Sequence, residues 1–334
     1  MRDRVTGRAR LLLVVAVIGA GCSSTSSRTG PIPVGSTVAP TTAAASAPGP
    51  PATTRETAAS GPEAVPASAG TAACTGRRAP TTYDHVVWIW MENHSSVLRS
   101  SAATYERSVA GACASALNDA DVGSPSLPNY IGATSGSTWG IGDDAGPGSH
   151  RLTADNIFRQ VRASGGTERS YEEAMPTPCR LGGAGRYAVK HNPAAYYDGA
   201  DDRVACGRDD VPLVPGLGAD IDAGTLPTFA FVTPDLCNDT HDCGIATGDA
   251  WLARWVPRIV AGPDYRAGRT AVFVVWDEPT PMAELVIAPS VRPGTTVATR
   301  TTHYDLLRTT EEMLGLPLLG AAGTALDLRP QLGI

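Results

Sequence analysis

From Ser23 to Thr82 the chain contains no Leu, Phe, Trp, Tyr or Met. Ser, Thr, Ala, Pro and Gly dominate that stretch. It cannot bury enough apolar surface to offset the entropy of ordering it, so a packed core is excluded there. The chain also has no Cys-X-X-Cys pair, which argues against a thiolate zinc site. It shows no internal repeat. It lacks an excess of basic charge: the formal net charge is −6 over 334 residues. A nucleic-acid binder needs a basic face, so that class is set aside. The apolar run Leu11–Ile18 is too short to span a bilayer as a helix.

The first residues carry an address instead. Arg2, Arg4, Arg8 and Arg10 precede the apolar run, and Gly19-Ala20-Gly21 then leads to Cys22. This resembles a bacterial lipoprotein signal, which implies lipidation at Cys22; secretion with cleavage nearby is the alternative. The expected organisation is a signal segment over 1–21, a disordered Ser/Thr/Ala/Pro-rich tether over 22–78 and a catalytic domain over 79–334. The expected location is the extracytoplasmic face of the cell membrane through the lipid anchor, or otherwise outside the cell. Removing residues 1–21 takes away four Arg and Asp3 and moves the formal charge to −9. A phosphate substrate is still compatible with that charge, because a local metal ion can dominate a site.

The six cysteines beyond Cys22 are Cys74, Cys113, Cys179, Cys206, Cys237 and Cys243. An even number in an exported domain reads as up to three disulfides. Proximity in sequence favours Cys237–Cys243 and Cys179–Cys206, leaving Cys74–Cys113, although fifteen connectivities are open in principle.

Continuous apolar runs mark strands buried on both faces. They lie at Asp84–Met91, Thr228–Thr233, Thr270–Trp276 and Leu285–Ala288. Helical patterns fall between and after them, at Ala154–Ala163, at Ala250–Ala261 behind Asp249 as an expected N-cap, and at Tyr304–Leu314 before Gly315. Strands alternating with helices predict an α/β fold with a central, largely parallel sheet flanked by helices.

Ligands of parallel sheets bind beyond the carboxyl ends of the strands. Three of these strands run into acids or amides: Glu92-Asn93, Asp235 and Asp277-Glu278. Carboxylates gathered on one rim repel one another unless a cation sits among them, which points to one divalent metal ion. The small number of histidines (six) favours a hard ion over a histidine-rich two-zinc centre. Ser126 stands between Pro125 and Pro128 on a stiff turn before a short helix, where a helix N-terminus favours an anion. Lys190-His191 suits phosphate oxygens and proton transfer. The loop Asp235–Cys243 adds Asn238, Asp239, His241 and Asp242, and His303 precedes the last long helix.

Seven segments together carry a resemblance. They are Glu92-Asn93-His94-Ser95, Ser126-Leu127-Pro128-Asn129-Tyr130, Lys190-His191-Asn192-Pro193, Pro234–Cys243, Gly248-Asp249-Ala250-Trp251-Leu252, Trp276-Asp277-Glu278 and His303–Thr309. In this order they resemble the bacterial phosphoesterase family of acid phosphatases and phospholipase C enzymes, within the alkaline-phosphatase-like superfamily. The resemblance implies Ser126 as nucleophile and Glu92, Asn93, Asp277 and Glu278 as metal ligands. It is consistent with Asn129, His191 and Asp239 as substrate contacts, with Lys190 and His191 supporting catalysis, and with His241 or His303 as proton donor. The expected activity is an exported, membrane-tethered acid phosphatase acting on phosphate monoesters through a phosphoserine. The alternatives are a phospholipase C-type phosphodiesterase and a catalytically impaired lipoprotein that binds a phosphorylated ligand.

Overall fold

The computed structural model describes residues 72–334. The expected signal segment 1–21, the lipidation site Cys22 and nearly all of the tether 22–78 lie outside the described residues. The elements in chain order are β1 (His85–Met91), α1 (Thr104–Ala112), β2 (Ala114–Ala120), α2 (Ser126–Ser135), α3 (Ile157–Ala163) and β3 (Glu168–Glu172). They continue with α4 (Asp202–Asp209), β4 (Asp210–Pro212), α5 (Leu213–Ala223), β5 (Phe229–Thr233), α6 (Ile245–Ala261), α7 (Pro263–Arg266) and β6 (Thr270–Trp276). The chain closes with β7 (Met282–Ile287), β8 (Thr295–Val297), β9 (Thr301–Thr302), α8 (His303–Leu314) and α9 (Arg329–Leu332).

One sheet runs β4-β3-β5-β1-β6-β7-β2-β8, with β9 also paired to β2. β1 lies parallel to both β5 and β6, and β3 parallel to both β4 and β5. Only β7 runs against its neighbours, β6 and β2. The reason is the connection: β6 ends at Trp276 and β7 starts at Met282. So short a link allows a hairpin but not the crossover that a parallel partner needs. The fourth expected strand therefore exists, slightly shifted, and runs backwards. Because β7 reverses twice against β6 and β2, the carboxyl ends of β1, β2, β3, β5 and β6 share one rim.

Strand alternation gives β1 two working faces. Trp88 and Trp90 share one face with Phe229 and Phe231 of β5. Tyr130 of α2 and Phe158 of α3 pack on the same aromatic group. The Trp88 indole N–H is satisfied by the Thr310 hydroxyl of α8, at 3.0 Å. This layer fixes α2 and α8 against the sheet and so fixes what their N-termini carry.

Two local readings need correction. Ser126 is the first residue of α2, with Pro125 at the N-cap position, rather than part of a turn outside the helix. Asp249 lies inside α6, which begins at Ile245, so it caps a different helix. Its carboxylate accepts from the backbone N–H groups of Tyr105 and Glu106 at the start of α1, at 3.0 and 2.9 Å. Tertiary contact has moved the cap, but the physics is unchanged: a carboxylate satisfies orphan donors at a helix N-terminus. The three disulfides are Cys74–Cys113, Cys179–Cys206 and Cys237–Cys243, as proximity suggested. Among the described residues no helix is long and apolar enough to cross a membrane.

Candidate active site

Glu92, the residue after β1, is fully buried and held from both sides. Its N–H donates to the Asp239 carbonyl at 2.8 Å, and its own carbonyl accepts from the Thr240 hydroxyl at 2.7 Å. The β5 loop is thus clamped to the end of β1. Gly248 of α6 makes this approach possible: a Cβ there would meet the Thr240 methyl at 2.4 Å and Met91 Cε at 2.7 Å. Beside Glu92, the Asp277 carboxylate follows β6 and accepts from the Asn93 N–H through Oδ1 at 3.0 Å.

The Glu92 carboxylate gathers three side chains from two other elements. The Ser126 hydroxyl donates to Oε2 at 3.1 Å. The Tyr130 hydroxyl, one turn along the same face of α2, donates to Oε1 at 2.6 Å. His191, on the 3-10 turn Val189–His191, places Nε2 3.1 Å from Oε1 and stacks its ring on Tyr130. Its Nδ1 faces Asp239 Oδ2 at 3.1 Å. Asp239 Oδ1 also accepts from the His241 backbone N–H at 2.7 Å, so one carboxylate ties the His191 ring to the loop that carries His241. The Nε2 of His241 lies 3.2 Å from the Lys190 ammonium, and its Nδ1 lies 2.8 Å from Asp242. Lys190 is the only lysine in the chain.

Burial shapes the electrostatics. Burial first, then the neighbouring charges of Asp277 and Asp239, hold the Glu92 carboxyl well above the usual carboxylate range. Burial likewise pushes Asp277 and Asp239 up to about 7. The His191 imidazole is held well below its ordinary value, by burial and then by Lys190 and His241. It is therefore neutral, the form that can ligate a metal.

These residues fit a cation. Glu92, His191 and His241 each offer one ligand atom within 4.8 Å of the others. Two further signs are independent of that grouping. Asp277 Oδ2 is buried with no hydrogen-bond partner. His191 Nε2, 3.1 Å from Glu92 Oε1, also makes no hydrogen bond. Buried polar atoms are seldom left unpaired, and these two suit a cation. The second candidate group, Cys179, Cys206 and Asp210, is disqualified because its sulfurs are already bonded to each other.

Not every residue singled out in the sequence faces this centre. Asn129 is buried and spent on its own turn: Oδ1 accepts from the N–H groups of Val122 and Gly123, and Nδ2 donates to the Gly123 carbonyl. It shapes the loop before Ser126. His303 is fully buried behind the site, packed on Trp90, with Nε2 2.8 Å from the Asp277 carbonyl. Asp235 accepts from the N–H groups of Cys237 and Asn238 and serves its own turn. Asn93 reaches Asp277 through its backbone. Glu278 is half-buried; burial raises its pKa, and a hydrogen bond from Ser124 opposes the shift. The sequence reading missed two participants. Tyr130 could have been found from its spacing, four residues after Ser126 on one helix. Asp144 had no sequence signal. Its Oδ1 accepts from the Leu127 N–H at 3.0 Å and its Oδ2 from Lys190 at 2.9 Å.

Comparison with known proteins bears on the family and the fold. A model of the Phosphoesterase family matches residues 90–282. A phosphatidylinositol-3-phosphatase of Mycobacterium tuberculosis is 30% identical over 258 residues, which cover 73% of this chain and 81% of that protein. A phosphate-repressible acid phosphatase of Penicillium chrysogenum is 26% identical over 258 residues, and an acid phosphatase of Aspergillus fumigatus 27% over 216. The chain spans 60% and 47% of those two fungal proteins. A solved structure from Vibrio parahaemolyticus in the alkaline phosphatase superfamily superposes with a TM-score of 0.52 at 12% identity, covering 78% of this chain and 73% of that one. That likeness supports the α/β fold.

Proposed function

Because the chain belongs to the Phosphoesterase family and is a phosphoric ester hydrolase, we propose that it is an acid phosphatase that cleaves phosphate monoesters at Ser126. The observation that carries this reading is the Ser126–Glu92 contact. A hydroxyl at the N-terminus of α2 donates to a buried carboxylate, which takes up the hydroxyl proton as Oγ attacks. Ser126 Oγ then attacks phosphorus, the ester oxygen leaves, and a phosphoserine forms. The Leu127 N–H and Lys190 face the equatorial oxygens, where charge accumulates. His241, half-buried at the mouth, gives a proton to the leaving oxygen, while Asp239 holds its backbone N–H and Asp242 lies against its ring. Water hydrolyses the phosphoserine by the reverse proton path. Tyr130 and His303 act by holding Glu92 and Asp277 in place.

A divalent ion would be held by Glu92 and Asp277 with His191 at hand, beside the Asn93 and Glu278 expected from the sequence; bound there, it would lower the hydroxyl pKa of Ser126 and offset phosphate charge. A phosphorylated inositol is one monoester in the proposed class and is named for the mycobacterial relative. Export and anchoring through Cys22 belong to the same proposal and rest on the N-terminal pattern alone.

The test is turnover of p-nitrophenyl phosphate and of bis-p-nitrophenyl phosphate from acid to mildly alkaline pH, with and without chelator, by wild type and Ser126→Ala. Monoester turnover that is lost in the variant and on chelation supports the reading. A preference for the diester moves it to a phospholipase C-type enzyme. Phosphate binding without turnover leaves an inactive phospho-ligand binder.

A further inference from the structure

Asp144 occupies a position that its charge makes improbable. Ser126 is flanked by the two best anion donors of the site, the Leu127 N–H and the Lys190 ammonium, and one carboxylate takes both, at 3.0 and 2.9 Å. Pro128 has no N–H, so the first turn of α2 offers few donors and Leu127 is a principal one. The neighbourhood is otherwise acidic, with Glu92, Asp277, Asp239 and Glu278 close by. A negative group in that place gains only from the donors a phosphoryl group would use.

We infer that Asp144 is a resident competitor for phosphate: it holds the anion position of the free enzyme, yields it to the substrate and takes it back from the product. The inference rests on the reading of Ser126 as nucleophile given above. The carrying segment suits an exchange. Gly140, Gly142, Gly146 and Gly148 flank Asp144, and a Cβ at any of them would meet nothing within 4 Å. Its anchors nearby are single hydrogen bonds, such as the one from the Tyr196 hydroxyl to the Ala145 carbonyl. A phosphoryl group on Ser126 Oγ that used the Leu127 N–H and Lys190 would have to take both from Asp144. Substrate and product both give up the same contacts to it. Asp144 thus weakens both, and its main benefit is release of inorganic phosphate.

Calorimetric titration of the metal-loaded protein with inorganic phosphate tests this, alongside steady-state turnover of p-nitrophenyl phosphate. Asp144→Asn keeps an oxygen for the Leu127 N–H but removes the charge facing Lys190; Asp144→Ala removes both. The dissociation constant for phosphate should fall in Asp144→Asn by roughly tenfold and further in Asp144→Ala. The inhibition constant of phosphate in turnover should fall in parallel. Asp143→Asn, whose carboxylate bonds His150 and the Ala145 N–H instead, should bind phosphate as wild type does. Equal or weaker phosphate binding by Asp144→Asn, with wild-type turnover intact, overturns the inference and leaves the phosphatase reading standing. If wild type turns over neither ester, the phosphatase reading fails and the inference fails with it.

Discussion

Ser126 Oγ and Glu92 Oε2 lie 3.1 Å apart, joining the N-terminus of a helix to the carboxyl end of the strand beside it. The contact makes Glu92→Gln informative in two directions. Turnover should fall by about 10²–10⁴-fold, because an amide cannot take the hydroxyl proton. The metal-free protein should gain thermal stability at alkaline pH, where Glu92 would otherwise have to ionise beside Asp277 and Asp239. Turnover assays and thermal melts of chelator-treated protein check the pair of outcomes; a melt that falls with activity would refute the electrostatic reading.

The metal-free protein should also become less stable as pH rises. Burial pushes the folded Asp277 and Asp239 carboxyls up to about 7, above the ordinary aspartate value of about 3.9. Between those limits the folded state binds more protons than the unfolded one, so stability falls with rising pH. It is greatest below the unfolded pKa and is lost through the window up to about 7. Adding a divalent ion should flatten the slope by supplying the missing positive charge. Thermal melts across that range, with chelator and with added ion, measure both effects.

Gly248→Ala should damage the site from outside it. The added methyl would lie 2.4 Å from the Thr240 methyl and 2.7 Å from Met91 Cε. Either α6 or the loop that clamps Glu92 must move, at a cost of about 1–3 kcal/mol. The expected outcome is a lower unfolding midpoint together with a fall in kcat that exceeds the change in KM.

Asp249→Ala should cost about 1–2 kcal/mol by removing the carboxylate that caps α1. Its effect on turnover should be small, because the cap lies away from Glu92. Chemical denaturation and a nitrophenyl phosphate assay separate the two readouts.

His303→Ala should lose the bond to the Asp277 carbonyl and the packing on Trp90, destabilising the fold by about 2–4 kcal/mol. Residual turnover should keep the wild-type dependence on leaving-group pKa. A steeper dependence would instead make His303 the proton donor.

The acids that end β1 and β6 were legible in the sequence because each follows a run of apolar residues too continuous to be anything but a buried strand. The disulfides were legible because sequence proximity limits which cysteines can meet. The orientation of β7 was not read, although the short link from Trp276 to Met282 held the clue. Asp249 had the look of a local cap, and only packing between α1 and α6 showed which helix it caps. The same limit explains Asn129 and His303. Residue type gave them polar roles, but burial turned Asn129 onto its own loop and His303 onto a backbone carbonyl.

What the sequence alone determined is the central strands β1, β5 and β6, the acids after β1 and β6 and the serine between two prolines, because strand periodicity and the residues just beyond a strand are local properties. What tertiary structure decided is which loops bend over that rim. His191, Asp239 and His241 converge on Glu92 from segments far along the chain, and Asp144 reaches Leu127 and Lys190 from a third. Loop paths have no periodicity. They are fixed by disulfide closure, by the close approach at Gly248 and by hydrogen bonds whose partners are paired only once the chain has folded.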